Sequence, residues 1–136
     1  MRPIKFRAWV KKEKKIFPVN DLTFNGSDDE PVGVNSCGDS TCITCIDWYR
    51  FEEVELMQYT GLKDKNGVEI YEGDVLKKKD SKEIYVLFDS GKFVISVINK
   101  KLNYEFEYYG LKAHLNIGYI YIGNIYENPE LLEAKL

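Results

Sequence analysis

Apolar and polar residues alternate along most of this chain, and the alternation has the period of two expected of strands with one wet face. Ile4, Phe6 and Ala8 fall on one face of a first strand, with Lys5, Arg7 and Trp9 on the other. Lys11 to Lys15 then reads as a charged hairpin turn. Ile16-Phe17-Pro18-Val19 returns, and Pro18, having no amide hydrogen, restricts that segment to an edge or a strand end. Asp21 to Phe24 is a short strand or an Asp-capped turn. Residues 25–40 are rich in Asn, Gly, Ser and Asp and predict a mobile loop. Thr41–Trp48 and Val54–Tyr59 favour strands again.

The second half is punctuated more regularly. Asn66-Gly67 predicts a tight type I′ hairpin, which needs two positive φ angles. Gly73-Asp74-Val75 predicts a sharp corner leading into a strand. Ile84 to Phe88 is a continuous apolar run, the signature of a strand buried on both faces. Asp89-Ser90-Gly91 turns the chain into a strand with Phe93, Ile95 and Val97 on one face. Tyr104-Glu105-Phe106-Glu107-Tyr108 alternates, and Ile117 to Tyr126 predicts a last long strand with bends at Gly118 and Gly123. Asn128-Pro129-Glu130 opens a short C-terminal helix, with Asn128 as cap and Pro129 at the first helical position. Short strands with turns every 8–12 residues predict a small barrel. The expected fold is therefore all-β: an irregular N-terminal β part (1–58) containing the 25–40 loop, then an SH3-like barrel with a short terminal helix (59–136).

Composition supports a folded chain. Of 136 residues, 44% are hydrophobic and 30% charged, which argues against intrinsic disorder. No stretch approaches the ~20 apolar residues of a membrane-spanning helix. The basic N-terminus lacks the apolar run of a signal peptide, so the expected setting is the cytoplasm.

Charge is unevenly spread. Residues 1–15 carry seven Lys or Arg and one Glu, whereas residues 16–62 carry one Arg and nine Asp or Glu. The net charge of −3 is not that of a sequence-independent nucleic-acid binder, whose affinity comes from neutralising phosphates. Arg2, Lys5 and Arg7, with the Lys77-Lys78-Lys79 tip, are the residues that could still contact a nucleic acid, and nucleic acid is the alternative partner.

Candidate chemistry is sparse. Cys37, Cys42 and Cys45 are spaced C-x4-C-x2-C, which suits thiolate ligation of a metal if a fourth donor exists. The sole histidine, His114, would complete a Cys3His site. The plainer reading is three reduced thiols, with a reversible disulfide from Cys37 to Cys42 or Cys45 as a further alternative. Asp28, Asp29, Glu30, Glu52, Glu53 and Glu55 could serve carboxylate chemistry, though an exposed acidic face is the commoner reason for such residues. Phosphate-binding glycine motifs and a nucleophile elbow are absent. Tyr104, Phe106, Tyr108, Tyr119 and Tyr121 could stack on bases, but core filling is the commoner use. No catalytic residue, cofactor or metal is assigned, and no enzymatic activity is expected.

Three stretches together are specific: Ile4 to Trp9, Met57 to Gly67 continuing through Ile70-Tyr71-Glu72-Gly73-Asp74-Val75, and Ile122 to Glu130. In these the chain resembles the YopX family of phage and prophage proteins. The resemblance implies a small, mostly β protein of prophage origin, and it carries over no catalytic residue. It also implies self-assembly, with a phage or host protein as the other partner. Two features depart from the family pattern: Val10, where an aspartate is expected, and the Cys37–Cys45 stretch. The polar-aromatic segment from Tyr59 to Asp74 is expected to be a rigid, surface-facing, functional loop.

Overall fold

A computed structural model of the chain describes residues 3–26, 29–39, 41–98 and 110–132. In chain order these form β1 (Phe6–Val10), β2 (Lys15–Leu22), β3 (Val32–Asn35), β4 (Ile46–Tyr49), β5 (Val54–Lys63), β6 (Glu69–Tyr71), β7 (Asp74–Lys77), β8 (Ile84–Asp89), β9 (Lys92–Val97), α1 (Leu111–Asn116) and β10 (Ile120–Asn124). The fold is all-β, with every described strand pair antiparallel. The chain divides into two compact units at Gln58/Tyr59, within β5. Among the described residues no helix is long and apolar enough to cross a membrane.

The unit of residues 4–58 is one sheet in the order β4-β3-β2-β1-β5. Its core is Ala8, Val10, Val32, Val34, Tyr49 and Val54, backed by Phe17, Val19, Leu22 and Leu56. Period-two alternation places Ala8 and Val10, and likewise Val32 and Val34, on one side. Pro18 sits in an inner strand rather than at the sheet edge. Its partner in β1 is Arg7, but the β3 ladder starts only at Val19↔Val34, so β2 is locally an edge where the proline lies.

The 25–40 stretch departs from its reading as a loop. Val32–Asn35 is a wholly buried strand between β2 and β4. Gly33 is no breaker here, because Trp48 of the neighbouring strand lies opposite it. Two of the indole ring carbons stand 3.0 and 3.1 Å from where a Cβ would be. The aromatic ring supplies the packing the glycine lacks.

In the second unit the distal part of β5 pairs with β6, and a four-stranded sheet runs β10-β7-β8-β9. The expected SH3-like barrel does not close among the described residues: β10 and β9 are free edges of an open sheet. One face of that sheet's core is instead furnished by α1, whose Leu111 and Leu115 pack with Ile70, Leu76, Ile84, Val86, Ile95 and Tyr119. The strand expected at residues 104–108 lies outside the described residues, and the last strand is shorter than expected, Ile120–Asn124.

Turn chemistry differs in detail. At Gly67 φ is +81°, but Asn66 keeps a negative φ, and the Gly67 amide donates to the Asp64 carbonyl at 3.0 Å. That is a turn closed by a glycine bulge, not the expected type I′. The paired positive φ angles occur at Ser90 (51°) and Gly91 (81°), between Asp89 and its partner Lys92. The C-terminal helix is a single 3-10 turn, Pro129–Leu132. Asn128 precedes it, but its side chain reaches back, accepting from the Asn124 amide at 3.1 Å.

Candidate functional site

The segment from Tyr59 to Asp74 is part surface and part scaffold: Lys63 and residues 65–68 are exposed, as expected, while other positions are built into the core. Tyr59, Thr60, Asp64, Ile70, Gly73 and Asp74 are buried. The Thr60 hydroxyl donates to the Ile70 carbonyl at 2.7 Å and accepts from the Leu62 amide at 3.2 Å. Asp64 accepts from the amides of Asn66 (2.9 Å), Val68 (3.0 Å) and Tyr121 (3.0 Å). Asp74 accepts from the Tyr71 amide at 2.8 Å and the Asn124 side-chain amide at 3.1 Å. Gly73, at φ +84°, donates to the Val86 carbonyl and accepts from the Ile125 amide. Two aspartates and one asparagine thus bind β5, β6, β7 and β10 together by saturating backbone groups that burial would otherwise orphan.

The candidate nucleic-acid residues are not assembled by either unit alone. Arg2 lies outside the described residues. Lys5 is exposed and Arg7 half-buried in the first unit, while Lys77, Lys78 and Lys79 belong to the second. Lys77 is engaged, its Nζ lying 3.6 Å from Glu83.

The acidic residues do converge in part. Asp29, Glu30, Glu52 and Glu53 line a cleft of about 750 Å³ in the first unit, together with Phe24, Phe51 and Arg50. Asp28 is outside the described residues, and Glu55 pairs with Lys11 at 3.4 Å. The Arg50 Nε lies 3.3 Å from Glu53 and 3.4 Å from Glu52, and the Arg50 amide donates to the Glu53 carboxylate at 2.9 Å. That amide, aided by the guanidinium, holds the Glu53 carboxyl below its usual range against the opposing effect of burial. Phe24 is 77% exposed and Phe51 44%. The residues were identifiable as acidic from sequence, but their grouping around two phenyl rings was not, because it joins the β2 end to the turn before β5.

The second unit has an apolar pocket of about 440 Å³ under α1, lined by Ile84, Val97, Ala113, Ile117 and Tyr119 beside His114. The His114 ring packs edge-on against Tyr119 with centroids 5.2 Å apart. Tyr119 fills core, as expected, and Tyr121 packs against it. The other three aromatics of that proposed platform are outside the described residues.

The three cysteines are brought together, and all their sulfurs lie within 4.8 Å of one another. His114 is in the other unit and is not part of this group. The fully buried Asn35 organises the loop. Its Oδ1 accepts from the Cys37 amide (3.3 Å) and thiol (3.1 Å), and its Nδ2 donates to the carbonyls of Asp39 and Cys42. The Ser36 hydroxyl and amide both donate to the Cys45 carbonyl, at 3.0 and 2.8 Å.

Donation from the Thr44 hydroxyl and amide, and then from Cys45, lowers the Cys42 thiol to about 6, while Cys42 and then Cys37 push Cys45 up to about 11. These opposite shifts favour Cys42 over Cys45 as a nucleophile at neutral pH. Alkylation by iodoacetamide, followed by peptide mass mapping, should reach half its maximal rate at Cys42 near pH 6. Cys45 should respond only in strongly alkaline buffer. A Cys42 profile centred near the ordinary value of 9.0 would refute the assignment.

Comparison with known proteins agrees with the resemblance in the three stretches. The YopX protein family profile matches residues 5–133. Among solved structures the chain is similar to protein EF1440 from Enterococcus faecalis, with 30% identity, 98% of this chain and 100% of that one covered, and a TM-score of 0.62. No curated protein matches. With the family match running over nearly the whole length, and a solved fold of the same extent beside it, the chain belongs to the YopX protein family.

Proposed function

We propose that this YopX family member is a non-enzymatic binding or assembly module, acting inside a phage-carrying cell through the acidic cleft of its first unit. The observation that carries this reading is the pairing of two exposed phenyl rings with four carboxylates against one guanidinium. Such a surface suits a cationic protein segment with an apolar side chain to bury. The buried aspartates, by contrast, accept from amides that brace turns, which supports a scaffold role for them rather than a catalytic one.

A second copy of this chain is the first candidate partner, since residues 1–15 carry seven Lys or Arg against a single Glu and so offer a net positive segment to the acidic cleft. Size-exclusion chromatography with light scattering at micromolar concentration is expected to give at least twice the monomer mass. The assembly should weaken with salt and be reduced in Phe24→Ala/Phe51→Ala. A strict monomer would remove self-assembly from the proposal. Mixed DNA and RNA are expected not to bind even at ~50 mM salt, where phosphate contacts are strongest. Binding there would favour the nucleic-acid alternative.

A further inference from the structure

We propose that Cys37, Cys42 and Cys45 form a three-thiolate site for a thiophilic d10 cation of the zinc class, with one coordination position left open. This goes beyond the cleft reading and does not depend on it. Three sulfurs within 4.8 Å of one another surround a common point. A tetrahedral zinc with bonds of ~2.3 Å needs sulfurs about 3.8 Å apart, so closure asks for only small movements of three short side chains.

The loop is held ready for this by groups that are not themselves ligands. Asn35 is fully buried, and its side-chain amide bridges both arms of the loop, accepting from the Cys37 amide and thiol on one side and donating to the Asp39 and Cys42 carbonyls on the other; metal binding at Cys37 releases the thiol bond while the amide bond remains. Ser36 pins Cys45 from below. Such fixation of first-sphere ligands by outer hydrogen bonds is what metal sites require. A donor set of thiolates alone favours soft ions over magnesium or calcium. Among the described residues the group of metal-ligating side chains contains only these three. The fourth position would go to water or to a donor brought by a bound partner.

The test is metal titration of the full-length chain after reduction and removal of the reductant. Cobalt(II), as the spectroscopic probe, should bind one ion per chain with thiolate charge-transfer absorption, and zinc(II) should displace it. Cys37→Ser, Cys42→Ser and Cys45→Ser should each weaken zinc affinity at least ~10-fold in a chelator competition. All three positions are on a surface loop, and circular dichroism would confirm that each variant stays folded. An unchanged affinity in any one single variant would overturn the three-thiolate site. So would the absence of charge-transfer absorption, or a mass loss of two hydrogens on mild oxidation with no metal uptake by the reduced chain, which would identify a disulfide pair instead.

Discussion

Asp74→Ala is expected to destabilise the second unit by about 3–5 kcal/mol, because each of two buried donors left without an acceptor costs about 1–3 kcal/mol. The carboxylate is fully buried and accepts from the Tyr71 amide on one oxygen and the Asn124 side chain on the other. The damage should spread, since Asn124 in turn accepts from the Tyr126 amide at 2.9 Å and its own amide is held by Asn128. With a urea slope of about 1–3 kcal/mol per molar, the midpoint should fall by roughly 2 M. Asp74→Asn should recover about half of this, since a carboxamide can accept from one donor but turns its NH2 toward the other. A loss below about 1 kcal/mol would mean that water takes over the carboxylate's role.

This network explains why the Tyr59–Asp74 segment is recognisable at all. Thr60, Asp64, Gly73 and Asp74 lie in one of the stretches that resemble the YopX family, and Asn124 and Asn128 lie in another. In the structure those residues hold strands to one another. The resemblance is therefore carried by fold-determining side chains, and it locates the scaffold more directly than any site. The cysteines lie outside these stretches, in a segment that departs from the family pattern, so the resemblance gives them no role.

The strands were legible where apolar residues run together, as in Ile84–Phe88 and the Val94/Ile95 segment, but Ile84–Phe88 is not buried on both faces as expected: Ile84 and Val86 are buried while Phe88 is 49% exposed. β3 was hidden because Gly33 and Asn35 resemble turn residues. One is covered by Trp48 and the other has its polar atoms satisfied by the cysteine loop, and both facts depend on residues several positions away. The helix α1 was missed for a different reason. Its apolar signal is only Leu111 and Leu115, one turn apart, too short to distinguish from a strand end. With α1 packed on its core, the four-stranded sheet does not close into the expected barrel among the described residues. Likewise, C-x4-C-x2-C spacing shows that a thiol cluster is feasible, but only the turn at Gly38 (φ +77°) and the Asn35 bridges make the sulfurs converge.

Gly123→Ala is expected to cost about 2–4 kcal/mol, combining overpacking of about 1–3 kcal/mol with strain on a buried hydrogen bond. Gly123 is buried beside the register shift that bends β10 against β7. An added Cβ would stand 2.6 Å from the Asn128 Oδ1 and 2.8 Å from the Leu131 Cδ1. The Asn128 oxygen cannot simply withdraw, because it is the acceptor for the buried Asn124 amide. Relief must then come by lifting the Pro129–Leu132 turn, or by breaking that bond and disturbing the Asp74–Asn124 contact behind it. The two causes predict non-additivity: Asn128→Ala should cost less in the Gly123→Ala background than alone, by at least about 0.5 kcal/mol. Gly67→Ala is the control, since nothing lies within 4 Å of its Cβ position and only its φ of +81° opposes the change. It should lose no more than about 1–2 kcal/mol. Strict additivity of the Gly123 and Asn128 effects in urea denaturation would show that the C-terminal turn moves aside freely, and that Asn128 is not the side chain that keeps residue 123 a glycine.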